Sequence, residues 1–584
     1  MGASAPCSLP RLCVAALAGG GGKTLLALGL AGALRRQGLA VQPFKKGPDY
    51  IDAAWLSLAA GRPCTNLDPY FLSPERLRAL FVHTLWAAGD AEPTAAPRPA
   101  APVLGLVEGN RGLFDGLDVA GSCSTAALAR ELACPVLLSL DCTKMTRTAA
   151  AVVRGVLAFE PGVPLAGVVL NRVGSARHEN LLRSALETYT DLPVLGALPR
   201  LAANPLPERH MGLAAHGDAL GPQAEAALER LAALAREHLD LPAVLDIARS
   251  APPLAAAAFW PPTATAIPAV GSTADADPSA EEADPASAAV PGPAAAPAQG
   301  GGPAPLASDA ASAAAAPAAT AAQFRPVPPG VPAASRPGAA RAAAFGQAEG
   351  AAPRIGYVRD AALWFYYREN LEALERAGAR LIRLSALDAA PWPALDGLYL
   401  GGGFPEDCAP ELSRSPHLAD LRRLADAGLP IYAECGGFML LSQGIEREDR
   451  LWPLAGVFAV RAQFLPRPQG LGYVCGEVTA ANPFFPVGLA LRGHEFHYSR
   501  CRWQGAPPAF ALRLNKGVGM GRAQAGGPGL DGLTRDRVWA SYTHIFAPAV
   551  PCWAANFADA ARAFARGGAQ GEEPGAGGKE KAHA

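Results

Sequence analysis

The sequence predicts a two-domain α/β protein: a mostly parallel sheet built around a phosphate-binding glycine loop, then a second α/β domain, with a long disordered linker between them. Three observations carry this. Short apolar runs alternate with helical patterns over the first 240 or so residues, as a parallel sheet covered by helices requires. From about 250 to 350 alanine and proline dominate and no hydrophobic period survives. Strand and helix alternation returns near residue 354 and gives way to an antiparallel pattern after residue 470. A chain of 584 residues also exceeds what one core supports. The expected boundaries are 10–248 for the first domain, 249–352 for the linker, 353–567 for the second domain and 568–584 for a disordered tail.

Composition narrows the function. A net charge of -1 gives no electrostatic case for nucleic acid or an anionic membrane as partner. Eleven cysteines, scattered without a C-x-x-C pair, argue against a disulfide framework and a zinc site, and fit a reducing cytoplasm. The apolar stretch from Leu12 to Leu34 imitates a signal-peptide core, but Lys23 and glycines interrupt it and no small-residue cleavage site follows.

Leu12 to Leu17 reads as a buried strand and Thr24 to Arg36 as a helix, with the loop AGGGGKT between them. Gly19, Gly20, Gly21 and Gly22 can turn backbone N–H groups around phosphate oxygens, Lys23 adds positive charge and Thr24 can ligate Mg²⁺. Leu17 stands where the strict pattern asks for glycine, and a glycine-rich turn alone would look similar. The next strand, Val41 to Lys45, runs into KKGPDYIDAAW, which places Lys45, Asp49 and Asp52 at a strand's carboxyl end, where ligands of such sheets bind. A solvated turn on Gly47-Pro48-Asp49 is the plain alternative. GRPCTNLDPYFL reads as a loop and residues 92 to 102 as a proline-rich connector. Val103 to Val107 delivers Glu108, with Asp115 seven residues on, a spacing that can set two carboxylates on one crevice. Later strands end at Asp141, at Asn171 in NRVGS, and before PRLAANPLPERHMGL.

In the second domain RIGYVRD and RLIRLSAL read as strands around a helix in WFYYRENLEALERAGA. GLYLGGGFPE is a strand ending in Gly401, Gly402 and Gly403, which can supply an oxyanion N–H or simply a tight turn. IYAECGGFMLL reads as strand, glycine turn and helix, with Cys435 at the corner, where a buried structural cysteine is the plain alternative to a nucleophile. There the helix start favours a thiolate and the Gly436 N–H faces a forming oxyanion. LGYVCGEV, RGHEFHYSRC and RVWASYTHIF read as strands. His494, His497 and His544 are candidate bases. His494 and His497, three apart on one strand, point to opposite faces, and the residues alone do not choose between that strand and His544. No acid stands two residues past His544, where Phe546 occurs.

With FKKGPDYID, EGNRGLFDG, LPERHMGL, FYYRENLEALERAGA, LYLGGGFPE, YAECGGFMLL, LGYV, RGHEFHYSR and ASYTHIF in order, the chain resembles the cobyrinate a,c-diamide synthases of cobalamin biosynthesis. The resemblance implies a dethiobiotin-synthetase-like ATP domain and a class I glutamine amidotransferase domain of the cobyric-acid-synthase type. Ammonia from glutamine would attack two acetate carboxylates activated as acyl phosphates. By matching position it implies Cys435 as nucleophile, His544 as base, and Gly19 to Thr24 and Asn171 as the ATP site. Asp49, Asp52 and Glu108 would manage Mg²⁺ or substrate, Asp115 lies in the matching loop, and Lys45 would neutralise the acyl phosphate. Two departures stand out: Gly19 to Leu25 lacks the family's usual serine and second threonine, and Lys46 replaces an apolar residue. The expected partners are L-glutamine, ATP and cobyrinate, or another tetrapyrrole such as hydrogenobyrinate or nickel-sirohydrochlorin, with a homodimer as the assembly to test. A nucleotide-switch ATPase with a non-catalytic glutaminase-like module is the rival class.

Overall fold

The computed structural model describes residues 8–87, 103–203, 205–206, 222–254, 351–505, 509–522 and 527–569. The connector at 92–102, most of LPERHMGL, nearly all of the expected linker and all but the first two residues of the expected tail lie outside these. All described residues belong to one compact unit made from both halves of the chain.

In the first half, β1 (Arg11–Ala16), β2 (Ala40–Lys46), β3 (Thr65–Leu67), β4 (Val103–Glu108), β5 (Val136–Asp141), β6 (Leu165–Val173) and β7 (Val194–Pro199) form one sheet in the order β3-β2-β4-β1-β5-β6-β7. Every pairing is parallel. Helices cover both faces, so β1 and β4 are buried throughout and read as unbroken apolar runs rather than alternating ones. On one face α1 (Lys23–Arg36), α2 (Ile51–Ala60), α7 (Pro222–His238) and α8 (Leu241–Arg249) share a core. The other face carries α3 (Pro74–Ala87), α4 (Thr125–Glu131), α5 (Thr148–Phe159) and α6 (Ala176–Tyr189). Register sets the chemistry: Lys45 lies opposite Glu108, and Asp141 opposite Asn171, all at strand carboxyl ends. The stretch read as a loop after α2 contains β3, three residues that leave no period to recognise and that pairing with β2 alone specifies.

The second half centres on an eleven-stranded sheet. Strands Arg380–Leu384, Arg354–Val358, Gly397–Leu400, Ile431–Glu434 and Val538–Ser541 lie side by side and parallel. Beyond them Gly529–Arg535, Phe510–Lys516, Gly470–Val478, Ala490–His497 and His544–Ile545 continue antiparallel. RVWASYTHIF is therefore two strands: its first piece is parallel to the elbow strand and its second pairs with Ala490–His497. RGHEFHYSRC is also split, since Ser499–Trp503 leaves for a separate four-stranded sheet. The helix expected across WFYYRENLEALERAGA starts only at Arg368, because Leu363–Phe365 pairs with Gly402–Gly403. A final helix, Cys552–Ala569, packs its buried Trp553 and Phe557 against Tyr432.

Candidate functional site

The glycine loop sits between β1 and α1. Gly20 and Gly22 have φ of 74° and 87°, a left-handed conformation open to glycine. A Cβ on Gly22 would lie 2.0 Å from Asn171 Nδ2. Ser139 Oγ and Asn171 Nδ2 donate to the Gly21 carbonyl at 2.8 and 3.2 Å, and Arg172 donates to the Gly20 carbonyl at 3.0 Å. With its carbonyls tied to β5 and β6, the loop can offer amides to an anion at the start of α1. A cavity of about 800 Å³ opens there, lined by Gly20, Thr24, Asn171, Arg172 and Pro199 among others, a size that suits a nucleotide.

Lys23 is buried and donates only to the Ala18 carbonyl of its own loop, at 3.1 Å. Burial, then the neighbouring Lys45 charge, lowers its pKa. Lys45 is fully buried and engaged: its Nζ lies 2.6 Å from Asp52, 3.0 Å from Glu108 and 3.9 Å from Asp49. Burial works against its charge, but Glu108, Asp52 and Asp49 outweigh that and raise its pKa. Thr24 Oγ1 donates to Glu108 Oε1 at 2.6 Å, while Glu108 Oε2 is buried without a partner among the described residues. Burial and then Asp52 push Asp49 up to about 6; burial also raises Glu108, against the pull of Lys45. Three carboxylates around one ammonium leave excess negative charge, and an orphaned buried carboxylate oxygen beside a threonine hydroxyl fits a hard cation. Among the described residues no three His, Cys, Asp or Glu side chains form a metal cage by themselves. Asp115 is exposed, accepts from the Gly112 N–H at 2.8 Å, and contributes its charge to Lys23.

The second centre is the elbow. Cys435 has φ 47° and ψ -99°, a strained corner that joins the strand Ile431–Glu434 to the helix Gly436–Leu441. Neighbouring strands hold it: the Cys435 N–H donates to Ser541 O at 2.7 Å and the Gly437 N–H to Gly401 O at 2.9 Å. The expectation that the helix start makes the thiol acidic is overturned. Burial, then Glu406, raises the Cys435 pKa well above the ordinary range, and the Gly436 N–H offsets only part of this. A six-residue helix in a buried corner cannot compensate for lost hydration. A base must therefore take the proton.

His544 is the candidate, seated on Glu434, the residue just before Cys435. Its Nδ1 faces Glu434 Oε2 at 3.4 Å and its Nε2 is buried without a partner among the described residues. If Nδ1 carries the hydrogen, Nε2 presents a lone pair. Glu434, the residue just before Cys435, is thus the acid missing after His544, and sequence reasoning passed over it. The available signal was a carboxylate inside an otherwise apolar strand. Gly402 packs on the base, since a Cβ there would lie 2.4 Å from His544 Cε1. A Cβ on Gly436 would lie 2.9 Å from the Gly403 amide nitrogen, so the Gly403 and Gly436 backbones are neighbours, as a two-donor oxyanion site needs. His497 is a packing residue: it stacks on Tyr542 at 3.7 Å and bonds Ser499 O at 2.7 Å.

The two centres adjoin. Tyr50, next to Asp49, stacks on Phe365 with centroids 4.8 Å apart and lies 5.5 Å from the His544 ring. Tyr473 of the second half donates to Asp68 of the first at 2.9 Å.

Fold and sites together define an ATP-dependent glutamine amidotransferase with two reaction centres on one chain. Residues 12–213 match the CobQ/CobB/MinD/ParA nucleotide binding domain, and residues 354–550 match the CobB/CobQ-like glutamine amidotransferase domain. The chain is 36% identical to a cobyrinate a,c-diamide synthase of Magnetococcus marinus, over 94% of its own length and 96% of that protein. It is also 36% identical to the one of Syntrophotalea carbinolica, over 95% and 99%, and 31% identical to the one of Listeria innocua, over 84% and 87%. The chain belongs to the cobyrinate a,c-diamide synthase family.

Proposed function

We propose that the protein converts the a and c acetate carboxylates of cobyrinate to amides, with ATP and glutamine consumed at each step. The observation that supports this most is the closeness of the two centres, with Tyr50 touching His544 while its neighbour Asp49 faces Lys45. Such closeness matters because ammonia is the shared intermediate, and in neutral water it is almost entirely protonated and unreactive.

At the elbow, His544 takes the Cys435 proton and the sulfur attacks the glutamine amide carbon. The oxyanion forms against the Gly403 and Gly436 amides, with Gly402 leaving room for the imidazole. The C–N bond breaks, the proton returns to nitrogen as NH₃ leaves, and water hydrolyses the thioester to glutamate. At the glycine loop, Gly19 to Gly22 and Lys23 hold the phosphates and Asn171 braces the loop. Thr24 and Glu108, with Asp52 and Asp49, would hold Mg²⁺, which supplies charge neutralisation between phosphates. A substrate carboxylate oxygen attacks the γ-phosphorus and ADP leaves; NH₃ then attacks the acyl carbon and phosphate leaves. Lys45 holds the acid cluster in place and Asp115 sets the potential at Lys23. No helix among the described residues is long and apolar enough to cross a membrane. A cytoplasmic location and a homodimeric assembly complete the reading.

The test is incubation with cobyrinate, ATP-Mg²⁺ and glutamine, read by mass for a double amide. Hydrogenobyrinate and nickel-sirohydrochlorin serve as competing substrates. Cys435→Ala should lose glutamine-driven amidation and keep the ammonium-driven reaction, whereas Lys23→Ala should lose both. A wild-type chain that amidates none of the three from either nitrogen source refutes the proposal.

A further inference from the structure

We infer that His494 relays ammonia from the glutaminase centre to the nucleotide centre, behind a wall formed by Tyr50. The inference rests on the function proposed above and assigns a positioning role that the two reactions themselves do not require.

A row of three side chains crosses the sheet on neighbouring strands. His544 lies opposite His494, and His494 lies opposite Tyr473. The two imidazoles stack with centroids 4.9 Å apart and planes 18° from parallel. The row begins at His544, which faces Glu434, the residue before Cys435, and ends at the Tyr473 hydroxyl, which holds Asp68 and would lie 3.9 Å from a Cβ on Gly47. Gly47 follows β2 directly, two residues past Lys45 and two before Asp49. The first half of the chain covers this row: Tyr50 packs against His494 at 5.6 Å and Phe71 at 6.3 Å, with Tyr367 at 6.0 Å from the second half.

His494 is 2% exposed, and neither of its ring nitrogens has a hydrogen-bond partner among the described residues. A buried imidazole left with both nitrogens unpaired is costly, so it calls for a ligand that is present only in turnover. Ammonia is such a ligand, because it both donates and accepts hydrogen bonds. Aromatic rings on the remaining sides exclude the water that would protonate it. Burial, then the neighbouring His544, lowers the His494 pKa well below its ordinary value, so the ring stays neutral, with one N–H and one lone pair to meet ammonia. His544 does the chemistry of release and His494 takes the product onward. Tyr50, fixed to Asp49 on its other side, can then link the state of the nucleotide centre to the passage.

The test measures glutamate released and amide formed in one assay with the full chain. Wild type should release about one glutamate per amide. His494→Phe keeps the flat ring and removes both nitrogens; glutamate per amide should rise about threefold or more while amidation from ammonium chloride proceeds at the wild-type rate. His494→Asn, which restores a polar nitrogen, should move the ratio back toward wild type. Tyr50→Ala opens the wall and should also raise it, and it tests the route if His494→Phe does not fold. The inference is overturned if both variants keep the wild-type ratio, or if the Asn variant is as uncoupled as the Phe variant. A wild-type chain inactive with either nitrogen source defeats the proposed function instead.

Discussion

Glu434→Gln is the sharpest probe of the second centre, because the substitution keeps shape while removing the charge and replacing one acceptor oxygen with a donor group. Four donors converge on this carboxylate. His544 Nδ1 and the Tyr399 hydroxyl approach Oε2 at 3.4 and 3.1 Å, and the Ile545 N–H and the Tyr432 hydroxyl approach Oε1 at 3.1 and 3.2 Å. A carboxylate has about four acceptor sites and can serve all of them, whereas an amide presents one oxygen and a donor group. Either orientation of glutamine leaves two donors facing an NH₂. The hydroxyls can rotate away, but the Ile545 N–H cannot, and the imidazole can only by changing tautomer. One fixed donor unsatisfied in the interior costs about 1–3 kcal/mol. The catalytic loss is larger: removing the acid that orients a triad histidine costs about 10⁴ in kcat, and with a 3.4 Å contact we expect about 10²–10³. Glutamine hydrolysis and thermal midpoint should be measured beside ammonium-driven amidation, which should stay at the wild-type rate. If Glu434→Gln hydrolyses glutamine as fast as wild type, Glu434 does not position His544.

Three further outcomes are expected. Gly22→Ala should abolish nucleotide binding, measured by titration calorimetry, because its Cβ would lie 2.0 Å from Asn171 and the backbone there has φ 87°. Gly402→Ala should push His544 aside, its Cβ lying 2.4 Å from Cε1, and reduce glutaminase kcat about 10²-fold or more while ATP hydrolysis with ammonium persists. His494 predicts an acid-side stability loss. Its pKa is held below the unfolded value, so the unfolded chain binds the extra proton and stability falls as pH drops below about 6.5. The urea midpoint should therefore fall between pH 7 and pH 5 in wild type, and by less in His494→Phe; equal falls would contradict the assigned neutral burial.

Residues that act through their near neighbours were legible from the chain. AGGGGKT names its own loop because a run of glycines between an apolar strand and a helix has few other uses, and Cys435 is marked by the glycines that let the chain turn behind it. Lys45 and Glu108 were visible as polar residues at strand ends, although that each faces the other followed only from the register of β2 and β4. Arg11 was not legible. It lies in an apolar strand, 0% exposed, and donates to the carbonyls of Leu9, Leu132, Ala133 and Pro252, partners as far as 241 residues away. The short strands Thr65–Leu67 and Leu363–Phe365 were hidden for the same reason: three residues have no period, and only a partner strand specifies them.

The sequence by itself determined the class of fold, the phosphate loop, the cysteine proposed as nucleophile and the set of histidines from which the proposed base is drawn. These depend on spacings of a few residues, which covalent geometry and local hydrogen bonding fix before any long-range contact forms. Only the tertiary structure decided that Glu434 faces His544, that burial raises the Cys435 pKa, and that His494 and Tyr50 meet between the two centres. Burial and pairing across more than a hundred residues set those properties, and neither is written in any local stretch of the chain.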